Sequence, residues 1–326
     1  MKPLSGSAGA FAVLFATTLL FSAAAQALVY EGGVTHEEMR KLLIEAGFQA
    51  VTVETKPSDA GEVPELVVMG GPTRWHVQFM SCDKDRCADL RLSVGFDMKA
   101  AFAPAIIAEM NEAMLGWISG NVYIDDEGDP ILQADVNTDG VTGNNIEYSA
   151  KVFDAMARCM TVKVGFDDSA SACADLRRRF AGFADQPVAA DDSSQVVFAL
   201  SLDDLRRILR NSGFDPTEGT ANSGMVSLRV KKDGIVWTAA IPETTADQIN
   251  GSVMLLTACT ACSSEGGRRA NAYNSERRWL TATQRDDVVM GTMMIPLSGG
   301  VTEASISMMI RSYHDWAVKF ESEMPK

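Results

Sequence analysis

The spacing of apolar and polar positions along this chain is written twice. Between Thr35 and Phe48, Met39, Leu42, Leu43 and Ala46 recur at i, i+3, i+4, i+7, the stripe of an amphipathic helix. Between Ser201 and Phe214, Leu205, Ile208 and Leu209 do the same. Thr35 with Glu38 reads as a capping box, and Ser201 with Asp204 as its weaker echo. Gly47 and Gly213 stand where a left-handed C-terminal cap is wanted, and Phe48 and Phe214 follow, placed to pack back on the last turn.

After each helix the period changes to that of strands. In the first stretch Leu66–Met69, a Gly-Gly-Pro turn and Trp75–Phe79 predict a hairpin, with a third strand over Leu90–Phe96. In the second, Val226–Val230, a Lys-Lys-Asp-Gly turn, Ile235–Ile241 and Val253–Thr257 predict the same three antiparallel strands. A second helix follows in each, about Pro104–Trp117 and Arg268–Leu280, with Pro104 suited to a first turn. Two strands come next. They are Val122–Ile124 and Ile131–Val136 around the acidic turn Asp125–Pro130, then Thr281–Thr283 and Val288–Ile295 in a degenerate version. Each stretch closes with a helix introduced by Gly-Val-Thr. Val141, Ile146, Phe153 and Met156 align there with Val301, Ile306, Tyr313 and Trp316.

Trp75 and Trp117 have counterparts in Trp237 and Trp279, and Gly140-Val-Thr142 returns as Gly300-Val-Thr302. The order is kept at a separation near ~160 residues, so the chain is a tandem duplication. Antiparallel strands with helices gathered on one face define an α+β fold in each copy. Domain 1 is read over residues 28–166 and domain 2 over 195–326. Residues 167–194 form a linker with a short helix over Asp167–Gly182.

Residues 1–27 read as an export signal. Lys2 supplies positive charge, Gly9–Phe21 is an apolar run short for a membrane span, and Ala25-Gln26-Ala27 is a small-x-small site with cleavage expected after Ala27. The expected mature protein is periplasmic and not inserted in the membrane. The net charge of −14 argues against nucleic acid and anionic lipid as partners. Six cysteines in an exported chain read first as disulfides. Sequence neighbours suggest Cys82–Cys87, Cys159–Cys173 and Cys259–Cys262.

Candidate chemistry is sparse. Cys259-Thr-Ala-Cys262 has the spacing of a redox pair, but Ser263–Gly267 follows where a helix would be needed to lower the thiol pKa, so a structural disulfide is the favoured reading. Asp135–Gly140 imitates the start of a calcium loop, yet the position for the bidentate Glu is Ile146; a strand end leading to a Thr142 helix cap accounts for the same residues. His36, His76 and His314 are scattered, so no zinc site and no catalytic base is assigned. No nucleophile elbow, P-loop or dinucleotide fingerprint is present. No catalytic, cofactor-binding or metal residue is therefore expected. Met290, Met293, Met294, Met308 and Met309 cluster late in the second copy. They suit ordinary core filling or, alternatively, an adaptable hydrophobic groove for a partner segment.

The helix ending in Gly-Phe, the strand pair, Met110–Trp117, Val122–Leu132 with its acidic turn, and Gly140-Val-Thr142 before a closing helix together resemble the YbjN family of bacterial sensory-transduction regulators. The resemblance covers residues 33–165 well and 196–322 more weakly, since the second copy lacks the acidic turn and the Cys82–Cys87 pair. It implies a fold like that of type III secretion chaperones and no catalytic residues. The expected function is a non-catalytic protein- or peptide-binding, chaperone-like or regulatory module of the bacterial envelope, its two copies packed as an internal pseudo-dimer. Two other readings stand beside it: a thiol–disulfide oxidoreductase using Cys259 and Cys262, and a purely structural envelope protein.

Overall fold

The computed structural model describes residues 28–58, 61–71, 73–97, 107, 109–111, 118–163, 196–219, 225–242, 251–259, 266–285 and 288–324. The expected leader, most of the helix expected near Pro104–Trp117, and the linker with its short helix lie outside them. No described helix is long and apolar enough to cross a membrane.

The first half runs β1 (Val29–Tyr30), α1 (His36–Glu45), β2 (Ala50–Ser58), β3 (Gly61–Gly70), β4 (Thr73–Asp83), β5 (Arg86–Gly95), β6 (Gly120–Ile124), β7 (Pro130–Asn137), β8 (Val141–Thr142) and α2 (Gly143–Lys163). The second runs β9 (Val196–Val197), α3 (Leu202–Asn211), β10 (Pro216–Glu218), β11 (Met225–Lys232), β12 (Ile235–Pro242), β13 (Ser252–Cys259), α4 (Gly266–Glu276), β14 (Thr281–Arg285), β15 (Val288–Pro296), β16 (Val301–Thr302) and α5 (Glu303–Glu323). Strand order is β2-β3-β4-β5-β7-β6 in one six-stranded sheet and β10-β11-β12-β13-β15-β14 in the other. All pairings in both sheets are antiparallel. The α+β class therefore holds, and the two sheets share one topology.

Each sheet has one strand more than the periodicity predicts. β2 pairs with β3 from Ala50↔Met69 to Ser58↔Gly61, and β10 pairs with β11 at Pro216↔Val230. Residues 52–55 of β2 are exposed on both faces, so no alternation marks them as a strand. β10 is held by only three residue pairs.

Local chemistry fixes the first helix of each half. Thr35 accepts from the Glu38 amide while the Glu38 carboxylate accepts from the Thr35 amide, and Ser201 and Asp204 repeat the arrangement in full. A cap of this kind stabilises by about 1 kcal/mol. At the other end Gly47 (φ +91°) and Gly213 (φ +87°) take the left-handed turn. The amides of Phe48 and Phe214 then reach back to the carbonyls of Leu43 and Leu209, at 3.1 and 3.0 Å. That turn aims each Phe at the core tryptophan. Phe48 meets Trp75 and Trp75 meets Phe153, edge to face, with centroids 5.4 Å apart in both contacts. Phe214, Trp237 and Tyr313 repeat the trio at 5.3 and 5.4 Å. Each such contact adds about 1 kcal/mol beyond area burial. Both tryptophans are fully buried.

The indole N–H of each needs an acceptor, and the closing helix supplies a different one in each half. Trp75 Nε1 donates to Asp154 Oδ1 (3.2 Å), which also takes the Thr73 hydroxyl, while Oδ2 pairs with Arg158. Trp237 Nε1 donates to His314 Nδ1 (3.2 Å). Burial raises the Asp154 pKa above the ordinary carboxylate value, against the pull of Arg158, Trp75 and Thr73.

The Cys82–Cys87 disulfide closes the β4–β5 hairpin. Cys159 and Cys259 are also disulfide-bonded; Cys173 and Cys262 lie outside the described residues.

Candidate functional site: the seam between the two halves

The two Gly-Val-Thr motifs, read from sequence as helix starts, form short strands before their helices. β8 and β16 pair antiparallel at Val141↔Val301, and β1 and β9 flank them in a four-stranded sheet ordered β1-β8-β16-β9. The exchange is reciprocal. The Thr142 amide donates to Gly300 O (3.1 Å), and the Thr302 amide donates to Gly140 O (2.8 Å). Thr142 Oγ1 accepts from the Asn145 amide and donates to Gly299 O. Thr302 Oγ1 accepts from the Ser305 amide at 3.2 Å. One motif therefore joins the halves and caps the following helix.

Side chains extend the joint. Asn145 Nδ2 donates to the carbonyls of Pro296 (2.9 Å) and Ser298 (2.8 Å), and Asn137 Nδ2 donates to Ser305 Oγ (2.9 Å). The loop before each outer strand docks on the other half. Ser119 Oγ donates to Met294 O and accepts from the Met294 amide, at 3.0 and 2.9 Å. In the opposite direction the amide of Trp279 donates to Asp135 Oδ2 at 2.8 Å. Thr281 Oγ1 donates to Gly120 O (2.7 Å), and Gln133 Nε2 to Asn274 O (3.0 Å). Asn271 of α4 serves the edge of β6, accepting from the Ile124 amide and donating to its carbonyl. Asn111 and Asn274 brace β6 and β14 of their own halves in the same two-bond manner. The edges nearest the seam are thus covered rather than left open.

Asp135 is the electrostatic centre. Its nearly buried carboxylate receives Arg91 Nε (3.1 Å) and Nη2 (3.3 Å) from its own half, and Arg278 Nε (3.2 Å) from the other. The Trp279 amide completes the set. Trp279 sits at φ +70°, a conformation that costs a bulky residue about 1–3 kcal/mol unless its surroundings hold it. Asp89 lies beside this group, 3.8 Å from Arg278 Nη2. Burial raises its pKa, with Ser81 and Arg278 acting in the opposite direction. Trp279 stacks nearly parallel on Trp316, with centroids 5.8 Å apart. A cavity of about 10 Å³ lies in the seam, lined from both halves by residues that include Ser119, Asn137, Asn145, Trp279 and Met294.

Asp135–Gly140, singled out as a calcium-loop start, is seam. β7 ends at Asn137, Thr138 donates to Cys87 O at 2.6 Å, and Asp139 accepts the Gly32 amide at 2.7 Å. Among the described residues no three His, Cys, Asp or Glu side chains gather as metal ligands. Of the late methionines, Met293, Met294 and Met309 are buried, and Met290 and Met308 are half-buried. Met293 and Met309 belong to the core, with Met308 packed against it, and Met294 is in the seam. Cys259 ends β13, opposite Val289, and is buried. His36 packs on Phe79 at 3.8 Å between ring centroids, and burial lowers its pKa. His76 Nδ1 lies 3.3 Å from Glu65 Oε2. The residues that sequence reasoning missed are Asp135 as a cross-half anchor, Asn145, Arg278 and Ser119. The one available signal was the recurrence of Gly-Val-Thr.

Fold and seam define an α+β protein whose two sheets share a topology and whose halves are joined by reciprocal backbone pairing. Residues 35–158 match the YbjN family, described as "Putative bacterial sensory transduction regulator". No curated protein matches the chain.

Proposed function

We propose that this chain is a non-catalytic, exported regulatory or binding module, made of two YbjN-like copies that act as one internal pseudo-dimer and engage a protein or peptide partner. The observation that carries this reading is the family match over residues 35–158, together with a second half of identical strand order. The seam supports the pseudo-dimer, because its bonds run reciprocally between equivalent Gly-Val-Thr motifs. The A-x-A site at Ala25–Ala27 and the disulfide-bonded state of Cys82, Cys87, Cys159 and Cys259 support export to an oxidising compartment such as the periplasm. Fold likeness to secretion chaperones, implied by the family, is analogy and gives only the partner class.

The test is affinity capture of the mature, oxidised protein from its envelope extract after rapid crosslinking. A specific, stoichiometric protein partner supports the proposal. An empty capture combined with insulin reduction that depends on Cys259 and Cys262 overturns it in favour of a thiol–disulfide enzyme. The burial of Cys259 within a strand pair weighs against that second reading.

A further inference from the structure

His314 replaces, in the second half, the carboxylate that receives the core tryptophan in the first. The two acceptors differ in one chemical respect. A carboxylate never presents a donor to the indole while ionised, whereas an imidazole accepts at only one nitrogen, and only while neutral. Trp237 Nε1–H points at His314 Nδ1 (3.2 Å), so Nδ1 carries the lone pair and Nε2 carries the proton. Nε2 lies 3.1 Å from Asp233 Oδ2, which accepts that proton's hydrogen bond. The geometry therefore fixes one neutral tautomer.

From this we infer that the Trp237–His314–Asp233 chain is a proton-operated latch in the second half. Binding a proton at Nδ1 sets an N–H against the indole N–H, and Trp237 loses its acceptor inside the core. The Asp233 contact survives and becomes an ion pair. Protonation thus exchanges one partner for another.

Asp233, in the β11–β12 turn, is largely exposed, and β12 carries no ionisable side chain. Lys232 Nζ stands 4.7 Å over the Phe214 ring, whose centroid lies 5.3 Å from that of His314, and it donates to Gly213 O. Arg210, at the end of α3, is exposed. His314 itself is 5 % exposed, so the imidazole cannot turn to solvent without moving α5 against β12. The first half has no such device: Asp154 keeps an acceptor oxygen for Trp75 in either protonation state. Of the two core tryptophans, only Trp237 therefore loses its acceptor on acidification, and α5 begins directly at seam strand β16.

The test uses the full oxidised protein, 15N-labelled and assigned, titrated from about pH 8 to about pH 5, the range in which histidine changes charge. At the upper end the His314 nitrogen shifts should report the Nε2–H tautomer. On acidification the Trp237 indole resonance should move with the same midpoint as His314, while that of Trp75 stays in place. His314→Asp, which installs the first half's acceptor, should remove the Trp237 response; if that variant does not fold, the wild-type titration decides alone. His314 titrating while Trp237 stays fixed overturns the latch, and so does a His314 that gains no proton across the range.

Discussion

Asp135 in the first half accepts the backbone amide of Trp279 in the second at 2.8 Å, and that amide belongs to a residue held at φ +70°. One buried carboxylate thereby fixes a turn of the other half and neutralises Arg91 and Arg278. Removing it should take that carboxylate from Arg91, leave Arg278 only the longer contact with Asp89, and leave the turn unsupported. Asp135→Ala is expected to destabilise the protein by about 3 kcal/mol. Asp135→Asn, which keeps an oxygen for the amide, should cost less. Denaturant titration of both variants checks the order; equal and small losses would remove Asp135 from the centre of the seam.

Gly299 and Gly128 separate conformation from contact. Both have positive φ, +86° and +91°. A Cβ on Gly299 would run into the backbone of Asn144 and Asn145 across the seam, whereas one on Gly128 would meet nothing within 4 Å. Gly128→Ala should cost about 1 kcal/mol, the left-handed strain alone. Gly299→Ala should cost at least about 2 kcal/mol more, because the opposing element is backbone and cannot rotate away. Thermal melts of the pair provide the comparison.

The Cys82–Cys87 bridge closes a short hairpin and constrains little of the unfolded chain. The combined change Cys82→Ser with Cys87→Ala should lower stability by about 2 kcal/mol while the far-ultraviolet spectrum stays unchanged. Cys87 also receives Val34 through a two-bond bridge and Thr138 through its carbonyl, and these backbone contacts should persist. Loss of the folded spectrum at neutral pH would mean that the bridge organises the N-terminal strap as well.

Asp154 gives a signed pH dependence. Its folded pKa is raised, mainly by burial. The folded protein therefore binds this proton more tightly than the unfolded chain does, and the stability so contributed is lost as pH rises from the ordinary carboxylate range through the folded value. Asp154→Asn keeps an acceptor for Trp75 and Thr73 and removes the ionisation. The stability difference between variant and wild type should shift in favour of the variant as pH rises through that window. Parallel stability–pH curves would contradict the assignment.

Much of this architecture was legible because its signals are local. Thr35 and Ser201 cap by a three-residue relationship, Gly47 and Gly213 terminate by a conformation open to glycine, and Trp75 and Trp237 mark the same core position. What escaped is tertiary. β2 is exposed on both faces over residues 52–55 and has no alternation to detect. Val141 and Val301 form two-residue strands whose partners lie in the other half, so no period announces them. Asp135 resembled a metal ligand because its real partners, Arg278 and Trp279, are more than a hundred residues away. The late methionines fit groove or core by composition alone, because burial is a tertiary property; Met293, Met294 and Met309 are buried.

Small-angle scattering of the oxidised protein without residues 1–27 tests directly whether the two halves form one body through the seam. A single-peaked distance distribution with a radius of gyration near about 20 Å is expected for a compact body of ~300 residues. Asp135→Ala should broaden that distribution. A two-peaked profile from the wild-type protein, as of two beads on a flexible linker, would contradict the seam and with it the proposed internal pseudo-dimer.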